Sequence, residues 1–160
     1  MEVTKQMIKE RFDEYNKLYF GGKLGKCKFY LLPRNTTGCG RFVSRKDSKS
    51  NEFGCIWIGN SVDWKEEELR EVIVHEMIHM YIIMVQRIPW PFNGVFGHGL
   101  FFRLQCFRIY SKCGIKVTRF PYYKYRKKKL EPSKMYRVLM NILDWRYIFL
   151  ILDKIYHRDR

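Results

Sequence analysis

Apolar residues first recur at helical spacing near the start of the chain. Met7, Ile8, Phe12, Tyr15, Leu18 and Tyr19 are set among charges, which predicts an amphipathic helix from Thr4 to Tyr19. Gly21-Gly22 follows and supplies the left-handed backbone freedom with which helices often end. Three short runs come next: Lys28 to Leu32, Gly40 to Val43 and Phe53 to Ile58. They are rich in aromatic and β-branched residues and bounded by turn formers, so they read as strands. The polar stretch Arg45 to Asn51 reads as a hairpin connection. A small antiparallel sheet is the expected arrangement.

A longer apolar stripe then begins. Leu69, Val72, Ile73 and Met80 continue one helical face, and the expected helix runs from about Trp64 to Gln86. Asp63 with Glu66 three residues later looks like a capping pair, and Glu67 and Glu68 suit the positive end of a helix. Pro89-Trp90-Pro91 ends the element. A further helix is expected from about His98 to Lys112, stopped near Gly114, with a short strand from Ile115 to Thr118. A basic aromatic segment follows, then an amphipathic C-terminal helix from about Ser133 to Tyr156 with Pro132 at its start. There is no internal repeat and no low-complexity segment.

The central helix carries the chemistry. Val74-His75-Glu76-Met77-Ile78-His79 contains HExxH, and residues four apart share one helical face, so two imidazoles can converge on one ion. Glu76 is placed to reach a metal-bound water as general base. Were His75 and His79 merely core histidines, Glu76 would be a surface charge. It instead extends the Leu69, Val72, Ile73 stripe, a costly place for a carboxylate without a task.

A catalytic zinc needs three protein ligands and one open position. The remaining histidines are His98 and His157. His98 lies in Phe96-Gly97-His98-Gly99, where glycines permit close backbone approach, and His157 lies near the chain end. Between Glu76 and Glu131 there is no Asp or Glu, which disfavours a carboxylate as third ligand. The loop from Ile88 to Phe96 bridges the two halves of this site and serves equally well as a cleft wall or as core.

Composition narrows the class. A chain of 160 residues, 46% apolar and 17% aromatic, is one folded domain with at most a short appendage, which excludes a disordered chain. The most apolar run, Tyr147 to Leu152, is far short of the roughly 20 residues a spanning helix needs. No apolar leader follows Met1, so an intracellular protein, cytoplasmic or nucleoid-associated, is expected. The five cysteines lack CxxC spacing, which argues against a disulfide framework or a zinc ribbon.

Charge adds a partner. The net +15 is uneven: residues 100–160 hold 16 Lys and Arg against 4 Asp and Glu, and the first 99 hold 15 against 12. Such a concentrated excess suits a polyanion, in preference to a merely solvated surface. Tyr122, Tyr123, Lys124, Tyr125, Arg126, Lys127, Lys128 and Lys129 interleave rings with cations, a pattern that neutralises phosphates while rings stack on unpaired bases. A solvated linker or an acidic membrane surface are the alternatives for this segment.

Several segments together resemble the SprT-like metalloproteases. They are Phe12-Asp13-Glu14-Tyr15-Asn16-Lys17-Leu18-Tyr19-Phe20-Gly21-Gly22-Lys23-Leu24, Gly38-Cys39-Gly40-Arg41-Phe42, the strand Cys55 to Ile58, and Glu71 to Tyr81. Gly97-His98-Gly99 with Phe102 and Gly114-Ile115-Lys116-Val117 complete the likeness, which runs from about residue 6 to 120. The resemblance implies an α+β, zincin-like metalloprotease domain over residues 1–120; residues 121–160 are the basic segment and amphipathic helix read above, appended to it. It implies that His75, His79 and His98 bind one catalytic zinc ion and that Glu76 is the catalytic acid/base. Because the family member Spartan degrades proteins crosslinked to DNA, it also implies a protein substrate near DNA; the rings among the cations of Tyr122 to Lys129 make single-stranded DNA the favoured partner.

Two departures stand out. These residues contain neither the four-cysteine ribbon of many bacterial members nor Spartan's adaptor-binding tails. The metzincin extension is also absent, since Ile82 and Val85 stand at its glycine and third histidine. Rival readings are an intracellular zinc protease with a dedicated target such as a repressor, and a non-catalytic nucleic-acid-binding module with structural zinc. A structural site has no use for Glu76, which disfavours the last.

Overall fold

The computed structural model describes residues 1–33, 38–60, 62–89 and 97–118. Their elements are α1 (Lys5–Phe20), β1 (Cys27–Leu32), β2 (Gly40–Lys46), β3 (Glu52–Gly59), α2 (Glu66–Met80), a π-helical turn (Tyr81–Val85) and α3 (Leu100–Cys113). The fold is α+β.

Helix α1 forms where periodicity places it. The Thr4 hydroxyl accepts the Met7 N–H at its start, and Gly21, at φ 61°, ends it. The stripe Ile8, Phe12 and Tyr15 is buried, with Phe12 edge-on to Phe29 of β1 at 5.1 Å. Leu18, expected on that stripe, points outward at 59% exposure. It stands one residue, about 100° of helix rotation, off the line from Tyr15 to Tyr19.

The sheet departs from the antiparallel expectation. Its order is β1-β3-β2, with β2 antiparallel to β3 and β1 parallel to it. The central position goes to β3, whose Gly54, Cys55, Ile56, Ile58 and Gly59 are buried, while β1 and β2 take the edges. Only β2 and β3 are joined by a hairpin. There Asp47 accepts the N–H groups of Lys49 and Asn51 at 2.9 Å each, and Ser50 adopts φ 63°.

Helix α2 begins two residues later than expected. The Glu68 carboxylate accepts the Lys65 N–H at 3.1 Å, whereas Asp63 meets the Met1 amino group at 3.1 Å. The helix is buried on nearly every side: Leu69, Val72, Ile73, Val74, Met77, Ile78 and Met80 are all 1% exposed or less. It packs against the sheet, α1 and α3. Past His79 the ladder widens into the π turn, closed by Gln86 N–H to Tyr81 O at 2.9 Å.

Residues Ile115 to Thr118 form no strand. Val117 is buried, and the peptide at Thr118 finds side-chain partners on α2 in place of a sheet ladder. No helix among the described residues is long and apolar enough to cross a membrane. The expected C-terminal helix, the segment Tyr122 to Lys129, His157 and most of the loop after Ile88 lie outside the described residues.

Candidate metal centre

The structure brings His75, His79 and His98 together. His75 and His79 rise from successive turns of α2. His98 reaches them from the segment before α3, where Gly97 turns at φ 74°, a conformation that a side chain would strain. The Nε2–Nε2 separations are 3.3 Å for His75 and His79, 3.1 Å for His79 and His98, and 2.9 Å for His75 and His98.

Those separations suit a cation. Nitrogens bound about 2.0–2.1 Å from a tetrahedral ion stand roughly 3.3 Å from one another, close to the triangle seen here. Among the described residues these three histidines form a group that could hold a metal ion. Burial favours the neutral form of the two α2 imidazoles, the form a ligand needs: His75 is pushed down to about 4, and His79 well below its ordinary value by burial and by its two histidine neighbours. A set of neutral imidazoles is a donor set for zinc and comparable transition metals, not for magnesium or calcium.

The rings stand on an apolar floor that the sequence reading did not assign. Phe102, fully buried, has its ring centroid 4.8 Å from the centroid of each imidazole. The available signal was its place four residues after His98 at the head of a predicted helix.

Glu71 and the Thr118 peptide were also missed. His75 Nδ1 lies 3.0 Å from the Thr118 carbonyl, an acceptor that holds the proton on Nδ1 and leaves the Nε2 lone pair facing the other imidazoles. The Thr118 N–H in turn donates to Glu71 Oε1 at 2.6 Å. One helical turn of α2 therefore grips both polar groups of one residue, Glu71 taking the amide and His75 the carbonyl. The pairing spans 47 residues of sequence, so no local pattern announces it.

Glu76 is 5% exposed and follows His75 directly. Burial pushes its carboxyl up to about 8, while a hydrogen bond from the Phe42 N–H works in the opposite direction. Gly40 at the start of β2 leaves the room: a Cβ there would lie 2.5 Å from Glu76 Oε1 and 3.0 Å from Val72 Cγ2. The site is thus assembled from four places in the chain: β2, α2, the turn before α3 and the segment ending at Thr118.

This geometry is joined by a match to the model of the SprT-like family over residues 8–121, well over half of the chain. The chain belongs to the SprT-like family. No curated protein matches it. The SprT-like match contains all three histidines, Glu76, Gly40, Glu71 and Phe102. Membership is consistent with a metalloprotease-type enzyme, and the histidine triad is a group that could hold a metal ion.

Proposed function

We propose that this SprT-like protein is a zinc metalloendopeptidase with His75, His79 and His98 as ligands and Glu76 as general base. The observation that carries this reading is the convergence of three Nε2 atoms beside a buried glutamate of the same helix. Zinc in such a site supplies Lewis acidity, polarising a carbonyl and making water acidic near pH 7. The protein supplies the remainder. Glu76 takes a proton from the attacking water at its carboxylate and delivers it to the amine nitrogen as the peptide C–N bond breaks. His75, tied through Nδ1 to Thr118, holds its ring orientation, and Phe102 keeps water from beneath the triad.

The proposed substrates are proteins associated with or crosslinked to DNA, met in the cytoplasm or at the nucleoid. Support comes from the net +12 of residues 100–160 and from the rings and cations of Tyr122, Tyr123, Lys124, Tyr125, Arg126, Lys127, Lys128 and Lys129, read as an appended segment beyond a protease domain of residues 1–120. Metal content measured together with casein cleavage and self-cleavage, with and without single-stranded DNA, tests both parts. Stoichiometric zinc with no cleavage under any condition rejects the peptidase; cleavage indifferent to DNA rejects the DNA-linked substrate.

A further inference from the structure

The two faces of the sheet differ in chemistry. Gly40 and Gly54 face α2, where added Cβ atoms would meet Val72 and Glu76 or Met80, so Phe42, Ile56, Ile58 and Phe29 share that inner side. Side chains alternate along a strand, so the opposite face carries Lys28 and Tyr30 of β1, Phe53 and Trp57 of β3, and Arg41 and Arg45 of β2. The three rings are half-buried and lie outside the apolar core cluster, while the cations are exposed.

This outer face is organised. Tyr30 and Trp57, cross-strand neighbours, are stacked with centroids 5.0 Å apart and planes 19° from parallel. Cations surround the rings: Arg45 stands 5.7 Å from the Trp57 centroid, Lys28 4.6 Å from that of Phe53, and Lys5 of α1 5.8 Å from that of Tyr30. No strand position of this face is acidic, since Glu52, the one carboxylate in the three strands, has inner-face parity and is held by Ser44 and Arg87.

We propose that this face of the sheet, centred on Tyr30 and Trp57, binds single-stranded nucleic acid. Flat rings with aliphatic and cationic borders accept unpaired bases by stacking, and the surrounding Lys and Arg neutralise the phosphates between them. A duplex hides its base faces and offers the rings nothing to stack on. The site belongs to the folded domain and is separate from the segment Tyr122 to Lys129. It deepens, and rests on, the proposed association with DNA.

Anisotropy of the full zinc-loaded chain with labelled oligo(dT), and with a duplex of equal length, over a salt series tests it. Lys28→Ala/Arg41→Ala/Arg45→Ala should weaken oligo(dT) about tenfold and flatten the salt slope by about 2, at roughly 0.7 per lost phosphate contact. Tyr30→Leu should weaken oligo(dT) about tenfold and spare the duplex, while Tyr30→Phe binds as wild type does, because stacking needs the ring and not the hydroxyl. Zinc content and circular dichroism confirm that each variant is folded.

Wild-type affinity and slope in the triple variant overturn the proposal, as does equal loss of oligo(dT) and duplex in Tyr30→Leu. Polyglutamate competing as well as oligo(dT) reduces the face to a general anion surface and also overturns it. If the triple variant binds normally and replacement of Arg126, Lys127, Lys128 and Lys129 abolishes binding, the sheet proposal fails while association with DNA stands. If the wild-type chain binds no nucleic acid, both fail.

Discussion

Gly40 and Glu76 are in van der Waals contact across the joint between β2 and α2, so closely that the smallest side chain at position 40 would collide with the carboxylate. The same strand gives Glu76 the Phe42 N–H two residues on. Strand β2 therefore positions the proposed general base, although it contributes no side chain to it.

Gly40→Ala is accordingly expected to displace Glu76 while leaving the histidine triad intact. Overpacking of this kind costs about 1–3 kcal/mol, so the variant should fold with a lowered melting temperature. Its zinc content should equal that of wild type and its casein cleavage should fall at least about tenfold, since a displaced Glu76 forfeits part of an acid/base contribution of about a hundredfold or more. Unchanged cleavage by a folded Gly40→Ala protein would show that Glu76 has no need of its present place.

Metal binding tests the third ligand. His98→Ala should lose zinc as completely as His75→Ala or His79→Ala, and His157→Ala should retain it. Elemental analysis of the purified variants decides this; full occupancy in His98→Ala moves the third ligand elsewhere.

Glu76 acts on protons in this scheme and not on the metal. Glu76→Gln should keep zinc and fold, and cleave protein slower by about a hundredfold, the usual scale of general-base loss. The neutral amide suits the buried position, so its melting temperature should not fall. Wild-type turnover in the zinc-loaded variant would falsify the role.

The grip of Glu71 and His75 on Thr118 gives a separate readout. Glu71→Ala frees the Thr118 amide and loosens the acceptor of His75 Nδ1–H, and partners of this kind typically contribute 10–100-fold to metal affinity. Competition with a chromophoric chelator should show about that loss. Glu71→Gln, which keeps an acceptor oxygen, should recover most of it. Equal affinity in Glu71→Ala and wild type reduces the contact to packing.

Much of this protein is written in local pattern. The spacing of Ile8, Phe12 and Tyr15 specifies α1, the glycine pair ends it, and the runs of aromatic and β-branched residues mark three strands within a few residues of their ends. HExxH on a helix brings two imidazoles to one face by helical pitch alone, and glycines beside His98 mark it as the partner. These features depend on neighbours within a turn or two of chain, which is why they can be read without a fold.

Pairing and contact across long separations are another matter. The sheet is mixed because β3 enters between β1 and β2, and strand order follows from which segment buries best at the centre, a competition that no single strand records. The Ile115–Thr118 segment has strand-like composition, yet its backbone is satisfied by Glu71 and His75, partners available only after α2 is in place. Phe102 beneath three imidazoles and Gly40 against Glu76 arise in the same way. Sequence determined α1, α2, α3, the three strands of the sheet and the placing of His75 and His79 on one helical face, because residue type and short-range geometry suffice for those. Tertiary structure decided strand order, the hold on His75 and the space for Glu76, because each depends on groups that meet only when distant segments pack.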